Sequence, residues 1–135
     1  MARPSLFLVR LAATCDDWRE NSIALESALT AIDKLPQGAR VAAAVPFVPR
    51  TWENMPLTHT GSYASLYRNG LVNTHFALPG VHMPTVKGMG EDFIDPSQLA
   101  VVQRGEAVDL SRFPSAAHAD YLWYVGQIPV KALPP

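Results

Sequence analysis

Cysteine is nearly absent from this chain of 135 residues, which has Cys15 alone. A single cysteine excludes a disulfide within the chain, so cysteine content does not separate a reducing from an oxidising compartment, and we expect Cys15 in the core. An excess of either charge is also lacking, because eleven basic residues stand against twelve acidic ones. No run of Lys or Arg forms a stripe for a phosphate backbone, so we expect no nucleic acid as a partner.

Long hydrophobic runs are missing as well. No apolar stretch approaches the roughly 18–20 residues that cross a bilayer, so we expect no membrane span in this chain. The first ten residues hold a short apolar patch but lack the continuous apolar segment and cleavage site of a signal peptide. No internal repeat or low-complexity segment is visible.

Proline, by contrast, is plentiful. The twelve prolines imply long irregular connections between few regular elements. The proportions of hydrophobic residues (48%) and charged residues (17%) are typical of a packed globule rather than a disordered segment. The length suits one domain. We therefore predict a single domain over residues 1–135, with 1–5 and 127–135 as extended tails.

The residues from Phe7 to Ile32 have the pattern of an amphipathic helix, ended by Pro36 and Gly38. Apolar and small residues recur there at alternating spacings of four and three: Phe7, Leu11, Cys15, Trp18, Ser22, Leu25, Leu29 and Ile32. The other predicted elements are strands over 40–46, 71–76 and 120–126 and helices over 57–69 and 97–104. Residues 40–46 are expected to be buried on both faces, and 77–96 to form a long loop. This order predicts an α/β fold, a small three-layer domain with a short, mostly parallel sheet of about three strands flanked by helices.

Three residues of the second predicted helix are candidates for ligand binding. His59, Tyr63 and Tyr67 follow one another at intervals of four, so one helix face can present an imidazole and two phenols to a ligand. The alternative is ordinary helix packing with polar tips at the rim.

Three cations and a further histidine are candidates for binding an anionic sugar or phosphate. Arg50, Arg68 and Lys87 lie beside predicted strand ends or the long loop, and His82 lies within that loop. The loop lacks the glycine spacing of known phosphate-binding motifs. Solvated surface charge is the alternative explanation for these residues.

No catalytic residue, metal or cofactor is predicted. Ser62 follows a glycine but lacks the second glycine of a nucleophile elbow. The histidines and nearby aspartates lack the spacing that places two metal ligands on one element. They are His59, His75, His82, His118, Asp92 and Asp95.

Several segments in this order carry a resemblance to a known class of proteins: 35–41, His59 with 63–70, 76–80 and 120–123. With the first helix, they resemble the soluble extracytoplasmic C-terminal domain of bacterial polytopic membrane glycosyltransferase-like proteins of the polyprenyl-phosphate-sugar type. The resemblance implies a non-catalytic accessory domain on the periplasmic side of the inner membrane. Its implied partner is the membrane-embedded part of its own full-length protein. The membrane bundle and its acidic catalytic loop have no counterpart in these residues.

Two other functions fit the residues. One is a small stand-alone enzyme or binding protein for a phosphorylated or sugar-like ligand, which would be cytoplasmic. The other is an interaction or oligomerisation module that uses the first helix. The oligomeric state stays open.

Overall fold

The structure, a computed structural model, describes residues 4–47, 57–74, 83, 99–101 and 106–135. The helices are α1 (Pro4–Leu29), α2 (Ser62–Arg68) and the 3₁₀ helices Thr30–Lys34 and Pro114–His118. The strands are β1 (Arg40–Phe47), β2 (Leu71–Val72), β3 (Leu99–Val101), β4 (Val108–Asp109), β5 (Tyr121–Tyr124) and β6 (Val130–Ala132). The predicted α/β class with a short parallel sheet is confirmed.

Strand β1 is the centre of the main sheet, because the three other strands of that sheet all pair with it in parallel. Strand β2 lies beside its first two residues, β5 beside Val41–Ala44 and β3 beside Val45–Phe47. Each residue from Val41 to Val45 is at most 4% exposed. Burial on both faces was predicted for 40–46 and is confirmed for 41–45, whereas Arg40 is exposed and Pro46 is half-buried.

Side chains alternate between the two faces of the sheet, as they do in any strand. On one face, Val41, Ala43 and Trp123 pack with the end of α1, Ile32 and α2. On the other face, a second cluster covers the sheet. Its members are Ala44, Val108, Leu110, Phe113, Leu122, Tyr124, Ile128 and Val130. Among the described residues, α1 and α2 therefore cover one face, and the small second sheet with the chain around Phe113 covers the other.

The second sheet, formed by β4 and β6, was not predicted. The backbone N–H of Val108 donates to Pro129 at 2.8 Å, and that of Leu110 donates to Ala132 at 2.9 Å. Strand β6 thus lies inside residues 127–135, for which an extended tail was predicted. Strands of two and three residues carry too little alternation to be recognised in a sequence.

The predicted helix over 97–104 is wrong at residues 99–101, which form β3. Strand pairing depends on the neighbour that the fold supplies, here β1, and it outweighs local helix preference. The second helix begins later than predicted, at Ser62, after turns over 57–61. A Cβ atom at Gly61 would lie 2.5 Å from the Cβ of Ala43, so glycine permits this close approach of α2 to the sheet.

Helix α1 has two unlike halves. At its carboxyl end, Leu25, Ala28 and Leu29 are half-buried, and Ala28 and Leu29 pack against the core. Every residue from 6 to 20 is exposed. The expectation that Cys15 lies in the core is wrong, because this thiol is exposed on the same half of the helix.

Candidate functional site

The first turns of α1 expose more apolar surface than is usual for a folded domain. Leu6, Phe7, Leu8 and Val9 are between 60% and 69% exposed. Leu11 follows them at 48%. We call residues 6–13 the apolar helix start.

The apolar helix start presents hydrocarbon in every direction around the helix axis. Successive helical residues are about 100° apart, so Leu6, Phe7, Leu8 and Val9 point to four different sides. Arg10 is the one charged residue in the segment. Ordinary surface helices are apolar along one stripe, whereas a helix that is apolar all round belongs in apolar surroundings.

The composition of α1 changes after the apolar helix start. Asp16, Asp17, Arg19 and Glu20 follow within a few residues, and Trp18 among them is 69% exposed. At 1.5 Å per residue, the apolar helix start is about 12 Å long. Across the described ranges, no helix combines the length and the apolarity that crossing a membrane requires.

The tyrosines predicted to bind a ligand lie close together on α2, whereas His59 precedes this helix. The rings of Tyr63 and Tyr67 stack with their centroids 6.0 Å apart and their planes 14° apart. Tyr63 is half-buried against the core, whereas Tyr67 is exposed. His59 is exposed in the turn before α2, where its carbonyl accepts a hydrogen bond from Ser62. The three side chains therefore do not form one continuous helix face.

Arg68, another predicted ligand-binding residue, joins α2 to the chain that follows α1. Its Nε donates to the carbonyl of Ile32 at 2.9 Å, and its Nη2 donates to Oδ1 of Asp33, also at 2.9 Å. The side chain of Arg68 is 26% exposed and that of Asp33 is 87% exposed. Arg50, His82 and Lys87 lie outside the described residues.

Tyr67 and Arg68 line a surface cavity of about 340 Å³ together with Leu29, Ile32 and Asp33. Sequence reasoning did not select Asp33 for this site. It is 35 residues from Arg68 along the chain, and no local pattern reports so distant a contact. The cavity thus contains two of the predicted residues, Tyr67 and Arg68, which are neighbours in sequence, and the carboxylate of Asp33.

A second cavity lies where ligands are expected in parallel sheets, beyond the carboxyl ends of β1 and β5. Its volume is about 270 Å³, and its lining includes Asn21, Ala24, Val45, Leu57 and Gln127. Gly126 shapes this region, because a Cβ atom there would lie 2.5 Å from Cγ of Pro46. None of the described residues in this lining carries a charge.

The ion pair of Arg40 and Asp120 lies at the opposite, amino-terminal ends of β1 and β5. Arg40 donates to Asp120 through Nη2 at 2.6 Å and through Nε at 3.1 Å. These hydrogen bonds lower the pKa of the Asp120 carboxyl, and they raise the pKa of Arg40. Both side chains are about half exposed, so the pair joins two strand ends at the surface.

Metal binding has no support within the described ranges, since no group of three His, Cys, Asp or Glu side chains comes together there. No protein-family model matches the chain, and no curated protein or solved structure matches it either. The resemblance to membrane glycosyltransferase-like proteins therefore stays a prediction.

Proposed function

We propose that this chain is a non-catalytic accessory domain that docks through the apolar helix start into the hydrocarbon region around the membrane-embedded part of its own full-length protein. The observation that carries the proposal is the exposure of apolar side chains on all sides of α1 from Leu6 to Val9. A partner that touches one side of the helix would leave the other sides in water.

The energetic argument rests on the number of apolar side chains involved. Fully burying one Leu, Val or Phe side chain is worth roughly 1.5–3 kcal/mol. Four such side chains, each more than half exposed, offer several kcal/mol to any apolar environment that encloses them. This free energy is gained only in surroundings that accept the helix from every direction.

The order of residues along α1 also suits the boundary of a bilayer. Arg10 has a long apolar stem that lets its guanidinium reach phosphate groups while the backbone lies deeper. Trp18 is of the residue type that concentrates at membrane interfaces. Asp16 and Asp17 then mark the part of the helix that stays in water, because carboxylates are costly to bury.

A narrower form of the proposal follows from the resemblance described above. In that form the membrane-embedded part is a glycosyltransferase-like bundle, and the domain lies on the periplasmic side of a bacterial inner membrane. The catalytic groups then belong to the bundle, and the domain supports binding or assembly beside it.

Flotation of the chain with phosphatidylcholine vesicles tests the proposal. We expect the unmodified chain to float with the vesicles. The single variants Leu6→Glu, Phe7→Glu, Leu8→Glu and Val9→Glu should each weaken binding by about tenfold or more, because each places a charge in hydrocarbon. Ile23→Glu is the matched control, since Ile23 is 57% exposed on the same helix but lies outside the apolar helix start.

The four positions also separate the proposal from self-association. If Phe7→Glu abolishes binding and Val9→Glu has no effect, the contact is one-sided and the proposal is wrong. If light scattering shows a dimer that Phe7→Glu converts to a monomer, without any flotation, the surface belongs to a second copy of the chain.

A further inference from the structure

The cavity beside α2 combines three features that suit a hydroxyl-rich ligand. Tyr67, a residue that is 56% exposed, contributes an aromatic side chain, and Asp33 contributes an acidic side chain that is 87% exposed. Arg68 contributes a guanidinium held in place by Ile32 and Asp33, each at 2.9 Å. All three residues line the same cavity of about 340 Å³ with Leu29.

The charges of the cavity distinguish between classes of ligand. The positive charge of Arg68 is already compensated by the carboxylate of Asp33. A phosphate or carboxylate entering here would gain attraction from Arg68 but meet repulsion from Asp33 at a similar distance. A neutral ligand meets no such opposition, and the ion pair offers it both a donor and an acceptor.

The aromatic ring adds a preference for a ligand with an apolar face. Aromatic rings carry partial negative charge on their faces and therefore attract the weakly positive hydrogens of C–H groups. A pyranose presents such hydrogens on one face and hydroxyls around its rim. Stacking of Tyr67 on Tyr63, with centroids 6.0 Å apart, limits the conformations of the ring before a ligand arrives.

We propose that this cavity is a saccharide-binding subsite, in which the ring of Tyr67 packs against the face of a neutral pyranose while Arg68 and Asp33 hydrogen-bond its hydroxyls. Arg68 donates to a hydroxyl oxygen, and Asp33 accepts from a neighbouring hydroxyl. The subsite uses residues outside the apolar helix start. Saccharide binding can therefore be tested independently of membrane docking.

Titration of the full chain, followed by amide ¹H–¹⁵N NMR, tests the subsite with three probes: D-glucose, N-acetyl-D-glucosamine and inorganic phosphate. We expect at least one sugar to shift the amides of Asp33, Tyr67 and Arg68, and phosphate to leave them unchanged. Tyr67→Ala should weaken sugar binding about tenfold, while Tyr67→Phe retains it because the ring remains. Leu66→Ala is the matched control, since Leu66 is 71% exposed on α2 but does not line the cavity.

Asp33→Asn tests the argument from charge, because it leaves Arg68 uncompensated while keeping a side-chain oxygen for the hydrogen bond. In this variant we expect phosphate to shift the same amides. Three outcomes overturn the proposal: neither sugar shifts the amides, Tyr67→Ala binds sugar as well as the unmodified chain, or phosphate binds the unmodified chain in preference to sugar.

Discussion

The two halves of α1 form one continuous helix but have opposite surroundings. Leu25 and Leu29 are half-buried and Leu29 packs against the core, whereas Phe7 and Leu11 continue the same stripe into solvent. Isolated helices shorter than about 12–15 residues are marginal in water. The exposed half therefore depends for its helicity on continuity with the packed half, and its apolar side chains contribute little to the stability of the free domain.

The largest expected effect lies in the body of the domain, at Asn73. This side chain is fully buried and pairs with one residue of β1: its Oδ1 accepts from the N–H of Ala43 at 2.9 Å, and its Nδ2 donates to the carbonyl of Ala43 at 3.1 Å. Asn73→Leu should lower the free energy of unfolding by about 2–4 kcal/mol, since both backbone groups lose their partner. Urea denaturation measures this. Ser22→Leu, at an exposed position of α1, is the control and should change the free energy of unfolding by less than about 0.5 kcal/mol.

A smaller effect is expected when a leucine is replaced by alanine in each half of α1. Leu29→Ala should lower the free energy of unfolding by about 1–2 kcal/mol, less than for a fully buried leucine because Leu29 is half-buried. Leu11→Ala should change it by less than about 0.5 kcal/mol, because Leu11 is an exposed residue of the free domain. The measurement is urea denaturation of both variants. Equal losses would show that the exposed half is also packed in solution, so that the two halves of α1 do not differ in their surroundings.

The smallest expected effect is on stability at low pH, where protonation of Asp120 breaks its ion pair with Arg40. The hydrogen bond from Arg40 lowers the pKa of Asp120 in the folded state. The ion pair therefore stabilises the fold at any pH above the pKa of an unfolded aspartate, about 3.9. That contribution is lost as the pH falls through the folded pKa. As the pH is lowered from about 5 to about 2, the urea midpoint should therefore fall less steeply for Asp120→Asn than for the unmodified chain. Added salt should reduce this difference between the two proteins.

Parts of the fold were predictable because their signals are local. The run from Val41 to Val45 is apolar at every position, which indicates a strand covered on both faces. The stripe from Phe7 to Ile32 indicates a helix. The pairing of β4 with β6 and the placing of 99–101 beside β1 were not predictable, because both depend on which distant segment arrives as a neighbour.

In the candidate sites, too, local features could be predicted and contacts between distant segments could not. Tyr67 and Arg68 were recognisable as polar residues with exposed tips, but the contact of Arg68 with Asp33 depends on how α2 packs against the chain after α1. The stripe of α1 was visible in the sequence. An apolar stripe looks the same whether it packs on its own sheet or awaits another partner, so the sequence alone did not divide α1 into its two halves.

The position of β1 at the centre of the sheet has a consequence for biosynthesis. Its Ala43 pairs with Asn73, 30 residues later, and its Arg40 pairs with Asp120, 80 residues later. Contacts of such long range slow folding, because a large loop must close before they form. On the ribosome, β1 emerges before β5, and until β5 is available the apolar edge of β1 is exposed to other nascent chains. The domain is therefore expected to complete its sheet only after nearly all of these residues have been synthesised.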